Sequence, residues 1–256
     1  MQVAEANCRT GKEFWTERSY YNVPEPRPQI RDQYLFDRYL PRSRNGSALE
    51  IGACPGSNLL ALALSHGYRP VALDYLPAVR SLPAAFRKHG VEVEIIEADF
   101  LSIPEDRKFD VVMSFGFIEH FNDAEAVLKK HWALVADNGF LMLGLPIFGP
   151  MQMMLRRLIL TPERLSEALR THYTEIMDMR VIRRWCERLP GAEILKCGHT
   201  DHMHTWFYSS DAYVRRSRRW ILWSWKIASV LPRALNISCR LFSPSGLAIV
   251  RRASRS

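Results

Sequence analysis

The sequence predicts an α/β fold in which a doubly wound, mostly parallel β-sheet lies between layers of helices. Short apolar segments alternate with helical segments between Ser47 and Pro146, and turns rich in glycine or proline separate them. Such alternation is typical of consecutive βαβ units. Because crossovers between parallel strands are right-handed, the helices are expected on both faces of the sheet.

A pattern of residue types predicts each strand and helix before Pro146. Five apolar or β-branched segments predict strands, at 48–52, 70–74, 93–97, 109–114 and 139–146. Three helices are predicted between them: 58–66 closed by Gly67, 76–89 closed by Gly90, and 123–135 with Asp123 near its start.

The domain organisation follows from where this rhythm begins and ends. Residues 1–46 form an N-terminal flap rich in aromatic residues and interrupted by prolines, and one domain covers 47–256. A helical insertion after the fifth strand, at about 150–190, is predicted from apolar periodicity over 151–160, 162–172 and 178–188. Strands at 192–198 and 246–252 then complete the domain, with a basic aromatic segment at 213–235.

The composition favours a globular protein of the reducing cytosol. Of 256 residues, 47% are hydrophobic and 24% are charged, which is enough apolar material for a sizeable core. The five cysteines are scattered and contain no CxxC pair, which argues against disulfides and a zinc site. No apolar segment is long enough to span a bilayer, and the N-terminus lacks a signal-peptide core. We therefore expect a cytoplasmic protein.

A glycine-containing loop follows the first predicted strand. The segment Glu50-Ile-Gly52-Ala53-Cys54-Pro-Gly56-Ser-Asn58 turns from that strand into the next helix. Glycine allows a sharp turn and a close approach to a ligand, and a helix N-terminus offers unpaired N–H groups to an anion. Ligands of open α/β sheets bind at this edge.

Acidic and aromatic residues follow the next strands at the same edge. Asp74 and Tyr75 end the second strand, where one carboxylate can accept hydrogen bonds from both hydroxyls of a ribose. Asp99 and Phe100 follow the third strand and are suited to an adenine amino group and ring. Phe115 follows the fourth strand and is suited to the opposite wall of the same pocket.

Taken together, these segments resemble the class I S-adenosylmethionine (SAM)-dependent methyltransferase family. The similarity covers roughly Ser47–Pro146 and consists of LEIGACPGSN, the acid after the second strand, EADF, FDVVMSFGFIEHF and DNGFLMLGLP. Cys54 stands where the family has a glycine. The loop also lacks the GxGxxG spacing of nicotinamide-binding domains.

The resemblance implies a Rossmann-like, seven-stranded sheet whose last strand, GLAIVRR, is antiparallel. It also implies SAM as the cofactor and S-adenosylhomocysteine (SAH) as the product. The expected cofactor-binding residues are Glu50, Gly52, Ala53, Gly56, Asn58, Asp74, Tyr75, Asp99, Phe100, Phe115 and Glu119.

The candidate catalytic base is His120, which follows the fourth strand in Ile-Glu119-His120-Phe. Histidine is suited to removing a proton from an alcohol near neutral pH, and Glu119 could orient it or contact the cofactor. The alternative is that this pair only shapes the loop. A quinone-directed branch of the family binds a metal through an acid three residues before its Glu-His pair. That position is Gly116 here, so we expect no metal.

A second histidine cluster lies in Cys-Gly-His199-Thr-Asp201-His202-Met-His204. His199 and His202 are further candidates for the base or for acceptor contact. Two alternatives stay open, namely a metal site and a polar loop whose histidines contact solvent.

The segment RRSRRWILWSWKIASVL, residues 215–231, combines arginines with tryptophans. Both residue types favour the membrane–water interface, so one interpretation is a helix lying on an anionic membrane, which would make the protein peripheral to the inner face of the membrane. The other is a cap helix whose tryptophans are buried in the core or in a dimer. The sequence sets no oligomeric state.

The function predicted is methyl transfer from SAM to a small-molecule or glycan-like acceptor, at oxygen. The alternatives are an RNA or protein methyltransferase and a SAM-binding membrane-docking module without catalysis. Because the chain shows no RNA-binding module, its net charge of +8 is weak support for nucleic acid.

Overall fold

The computed structural model describes residues 8–16, 25–30, 33–200, 219–235 and 237–254. Within these ranges seven strands form one sheet in the order β3-β2-β1-β4-β5-β7-β6. The strands are β1 (Ser47–Ile51), β2 (Arg69–Asp74), β3 (Glu94–Glu97), β4 (Phe109–Phe115), β5 (Val135–Pro146), β6 (Ala192–Thr200) and β7 (Ser245–Arg252). Only β7 pairs antiparallel, with both β5 and β6. The predicted sheet and its antiparallel last strand are confirmed.

Helices connect the strands and extend to either side of them. They are α1 (Lys12–Thr16), α2 (Gln33–Tyr39), α3 (Ser57–His66), α4 (Leu82–Arg87), α5 (Ala124–Ala133), α6 (Pro150–Ile159), α7 (Pro162–Thr171), α8 (Met179–Glu187), α9 (Arg219–Ala228) and α10 (Val230–Ala234). Short 3-10 turns cover Pro77–Ser81, Phe100–Ser102, Ile118–His120 and Thr174–Met177.

Two predicted boundaries differ from the structure. The helix expected over 76–89 is a 3-10 turn followed by α4, because Pro83 has no N–H to continue a helical ladder and is tolerated only in a first turn. Strand β5 begins at Val135, four residues before the predicted start. A register irregularity between Phe109 and Val111 accommodates the extra residues.

Alternating apolar residues place a core on each face of the sheet. In β1, for example, Leu49 packs on the face covered by α5 and α8, whereas Ala48 packs on the face covered by α2, α3 and α4. Period-two alternation with both faces apolar is expected of a sheet buried between helical layers.

The helices after β5 belong to two different layers. Helix α8 packs on the sheet through Ile182 and Cys186, so it belongs to the sheet's own helical layer. Helices α6 and α7 form a cap with a separate small core, in which Leu155 and Ile159 of α6 contact Trp225 of α9. No helix of the described residues is long and apolar enough to cross a membrane.

The strand order sets the place of the site. The chain leaves β1 toward β2 and β3 and then returns to β4 on the other side of β1. The loops after β1 and β4 therefore diverge at the carboxyl edge of the sheet, which is where ligands of doubly wound sheets bind.

Candidate active site

The loop after β1 depends on two glycines with left-handed backbone conformations. Gly52 has φ +69° and Gly56 has φ +87°, values that residues with a side chain rarely adopt. A Cβ on Gly52 would lie 2.9 Å from the ring of Phe117, and a Cβ on Gly56 would lie 3.0 Å from Phe86. Both the turn and the close packing therefore require glycine.

Glu50, at the end of β1, holds the start of α3. Its two carboxylate oxygens accept hydrogen bonds from the Asn58 side chain and from the Leu59 backbone N–H, each at 3.1 Å. The side chain is buried, and burial raises its pKa to about 8 although both hydrogen bonds act in the opposite direction. The carboxyl is therefore poised to ionise near neutral pH.

This raised pKa leads to a prediction for the stability of the protein without ligand. A carboxyl whose pKa is higher in the folded than in the unfolded chain binds more protons when folded, so stability falls as the pH rises from about 4.5 to about 8. We expect Glu50→Gln to remove part of this loss, so that its free energy of unfolding relative to the parent chain rises between pH 5 and pH 8. Denaturant unfolding at the two pH values measures this change. An equal difference at both would contradict it.

Asp74, at the end of β2, anchors the glycine loop from the other side. Its carboxylate accepts hydrogen bonds from the backbone N–H of Cys54 at 3.0 Å and of Leu76 at 2.9 Å. Burial raises its pKa. Ala53, in the same loop, is buried, and its N–H donates to the carbonyl of Leu73 at 3.1 Å.

A cavity of about 250 Å³ lies at the glycine loop after β1. Five of the predicted cofactor residues meet there, and the full lining is Glu50, Gly52, Cys54, Pro55, Gly56, Ser57, Asn58 and Phe115. Tyr75 is half-buried beside Asp74, and burial together with nearby Cys8 raises the pKa of its phenol.

The two residues after β3 have different environments. Asp99 is exposed and caps the following turn, where it accepts a hydrogen bond from the Leu101 N–H at 2.9 Å. Phe100 lies in the core, with its ring 5.7 Å from Phe117 and 4.6 Å from His131. Phe117, which the sequence analysis did not single out, thus lies between Phe100 and the loop at Gly52.

The turn after β4 brings Glu119 and His120 together with His172, which was not predicted. One ligand atom from each of the three lies within 4.8 Å of the others, and the two imidazole rings are 4.7 Å apart. Such a set could bind a divalent metal ion or accept and donate a proton. Glu119 Oε1 lies 3.8 Å from His120 Nε2, so the structure places this acid on the histidine side.

Hydrogen bonds set the orientation of both imidazoles. His120 Nδ1 lies 2.8 Å from the carbonyl oxygen of Thr171, and His172 Nδ1 lies 2.7 Å from that of Ala168. Because a carbonyl can only accept, Nδ1 donates in both rings, and Nε2 of each neutral ring carries the lone pair. Glu119 is buried, and burial raises its pKa to about 8.

The N-terminal segment forms a roof over this group. The backbone N–H of Arg9 donates to the carbonyl of His120 at 2.7 Å. The ring of Trp15 in α1 stands edge-on to the imidazole of His120 at 4.9 Å, and Phe148 lies 5.3 Å from His172. Aromatic side chains thus surround the histidines on two sides.

The second histidine cluster lies elsewhere. His199 is half-buried on β6, where Asp178 and Arg240 are the charges that act on its pKa, which burial lowers. Two strands, β5 and β7, separate β6 from the β4 turn that carries His120. His202 lies outside the described residues.

Comparison with known proteins places this geometry in a family. A family described as a methyltransferase domain matches residues 49–143, which carry the glycine loop, Asp74 and the β4 turn. Residues 49–143 of the chain belong to the class I SAM-dependent methyltransferase family. The predicted resemblance is thereby confirmed, and the cavity beside the glycine loop lies within the matched methyltransferase domain.

Curated relatives of this chain are distant. The chain is 20% identical over 129 residues to a ubiquinone biosynthesis O-methyltransferase of Rickettsia felis, and 21% identical over 129 residues to that of Rickettsia prowazekii. These matches cover 49% of the chain in both cases, and 53% and 51% of the two relatives. The chain thus spans about half the length of the curated relatives it matches.

Solved structures share the fold of this chain across most of its length. A SAM-dependent methyltransferase from Thiobacillus denitrificans, in complex with SAH, aligns with a TM-score of 0.58 at 15% identity, covering 94% of this chain and 98% of the other. A methyltransferase from Bacillus halodurans aligns with a TM-score of 0.56 at 16% identity, covering 88% and 100%. At these identities the likeness establishes the fold.

Proposed function

We propose that the protein transfers a methyl group from SAM to an oxygen of a small hydroxylated acceptor, either a small molecule or a glycan. The observation that carries this proposal is the group of Glu119, His120 and His172 at the turn after β4, the strand next to β1 in the sheet. Glu119 and His120 are buried, and His172 is half-buried. The names of the two curated relatives, both O-methyltransferases, support transfer to oxygen.

The cofactor would occupy the cavity after β1. Asp74, at the end of β2, is held in place by two backbone N–H groups, and its carboxylate would accept hydrogen bonds from both ribose hydroxyls. Glu50 lines the same cavity and would attract the ammonium group of the methionine part. Phe115 would form an apolar wall, and Asp99 would accept a hydrogen bond from the adenine amino group.

The acceptor would lie between the cofactor and His120. SAM bound in the cavity would supply the methyl group to the acceptor oxygen and be released as the neutral thioether SAH. His120 Nε2 would take the proton that the acceptor hydroxyl loses. The ionised form of Glu119, 3.8 Å away, would stabilise the resulting imidazolium. Trp15 and Phe148 would exclude water and provide ring faces for a sugar or an aromatic acceptor.

Two features of the described chain support a reaction in the cytoplasm, at the inner face of the membrane. All five cysteines are free, which fits a reducing cytoplasm. The apolar surface of α9 and α10, described below, would hold the protein at the inner face of the membrane. A lipid-linked acceptor would be presented there.

Isotope transfer tests the proposal. The protein is incubated with SAM carrying a 13C-labelled methyl group and with phenols, catechols and monosaccharides, and the products are examined by NMR. We expect the carbon signal of a methyl ether and one SAH for each product. Label found only in added RNA or protein, or SAH binding without any transfer, would contradict it. His89 is an exposed histidine outside the proposed site, and its replacement by alanine should leave the transfer rate unchanged.

A further inference from the structure

Helix α9 is apolar on two opposite faces. The inner face packs on the cap, where Trp225 is 7% exposed and contacts Leu155 and Ile159 of α6. An amphipathic helix needs only one such face to join a core. The apolar residues on the outer face are therefore not explained by the packing of the residues that the structure describes.

The outer face carries a continuous apolar stripe. Trp220, Trp223 and Ile227 are spaced by three and four residues, so they lie along one side of α9. They are 66%, 67% and 53% exposed. Val230 and Leu231 of α10 continue the stripe at 62% and 65%. Isolated exposed apolar residues are ordinary, but a contiguous group of this size marks an interaction surface.

The charge around the stripe indicates what covers it. From residue 212 to residue 256 the sequence contains no Asp or Glu, and four of the five residues before Trp220 are arginines. Lys226 is exposed on α9 itself. A second copy of the same surface would bring cations against cations, whereas an anionic bilayer offers opposite charge together with an apolar interior.

The stripe also lies close to the acceptor side of the site. Helix α9 packs on α6, and Arg156 of α6 lies over the ring of Phe148, 4.0 Å from its centre. Phe148 in turn contacts His172. Only α6 therefore lies between α9 and Phe148, which contacts His172 in the candidate site.

We propose that the outer face of α9 and α10 docks on an anionic membrane surface, lying in the plane of the interface. Tryptophan prefers the membrane–water interface because its ring is apolar and its N–H is polar. Basic residues beside it attract acidic headgroups. The docking stands on this surface alone and does not depend on the methyl transfer proposed above.

Vesicle sedimentation tests the docking with the full chain. Vesicles of phosphatidylglycerol and phosphatidylcholine are compared with vesicles of phosphatidylcholine alone. We expect binding to the first and much weaker binding to the second. The double variant Trp220→Ser/Trp223→Ser should bind the anionic vesicles at least about tenfold more weakly, since each ring removed takes a large apolar area out of the bilayer.

A matched variant and a second measurement make the outcome decisive. Leu64→Ser removes an exposed apolar side chain, 45% exposed on α3, and should leave vesicle binding unchanged. Circular dichroism and SAH titration establish that each variant is folded. Equal binding by the double variant and the parent chain, or no binding to anionic vesicles, overturns the proposal. A change of oligomeric state in the double variant, with vesicle binding unaltered, assigns the stripe to a second copy instead.

Discussion

Replacing His120 by alanine is expected to lower kcat by about 100- to 10,000-fold, the usual contribution of a general base. The side chain is buried beside Glu119 and His172, and its Nε2 carries the lone pair that would accept the acceptor's proton. The affinity for SAH should change little, since His120 does not line the glycine-loop cavity. Turnover at saturating SAM and calorimetric titration with SAH measure the two quantities.

The controls for His120 separate it from the other histidines and from a metal. His199→Ala and the exposed His89→Ala should both keep kcat within a few-fold of the parent chain. An unchanged kcat in His120→Ala would remove it from the reaction. If a chelator abolished turnover and a divalent ion restored it, Glu119, His120 and His172 would be reassigned as metal ligands, because one lone pair cannot bind both a metal and a proton.

Asp74→Ala is expected to weaken SAH binding by about 100-fold or more. The change removes the proposed partner of both ribose hydroxyls, and hydrogen bonds to a charged group contribute about 1.5–3 kcal/mol each. It also releases the N–H groups of Cys54 and Leu76, so the glycine loop loses its anchor to β2. Calorimetric titration with SAH, beside a thermal melt to establish folding, measures the effect.

The matched control for Asp74 is an acid outside the site. Asp137 is exposed at the start of β5, and its replacement by alanine changes the net charge equally. Asp137→Ala should bind SAH like the parent chain. Full affinity in a folded Asp74→Ala would place the cofactor elsewhere and sink the proposed assignment of the cavity.

The sheet could be predicted from the sequence because its signals are local. Each strand before Pro146 is a short apolar segment closed by a turn residue, and the turn residues lie next to the segments they end. The element boundaries that differed from the prediction depend on strand pairing or on a single missing backbone N–H. The start of β5 is set by its register with β4, and the break before α4 is set by Pro83.

The glycine-loop cavity was predictable for the same reason, as were Glu119 and His120, whereas their contact with His172 was not. Glu50, Gly52, Gly56 and Asn58 are neighbours in sequence and meet in one cavity. The contact between His120 and Thr171 spans 51 residues, and nothing in the sequence around His172 marks it as a partner. Only the packing of α7 against the β4 turn brings them together.

The tryptophan segment contains both buried and exposed tryptophans. Burial in a cap and exposure to a membrane were alternatives for the whole segment. In the structure Trp225 is buried, whereas Trp220 and Trp223 are exposed. Helical periodicity separates the two faces, since positions 220 and 223 lie on one side and 225 lies on the other.

The roof over the histidines has a consequence for how such a protein diversifies. Residues 8–16 reach His120 and its neighbours through Arg9, Cys8 and Trp15, yet they contribute no strand to the sheet. Because Cys8 also acts on Tyr75 beside Asp74, this segment contacts both the proposed donor side and the proposed acceptor side. Selection, or a library built over Arg9 and Trp15, which contact His120, could therefore vary the proposed acceptor side while β1 and its glycine loop keep their sequence.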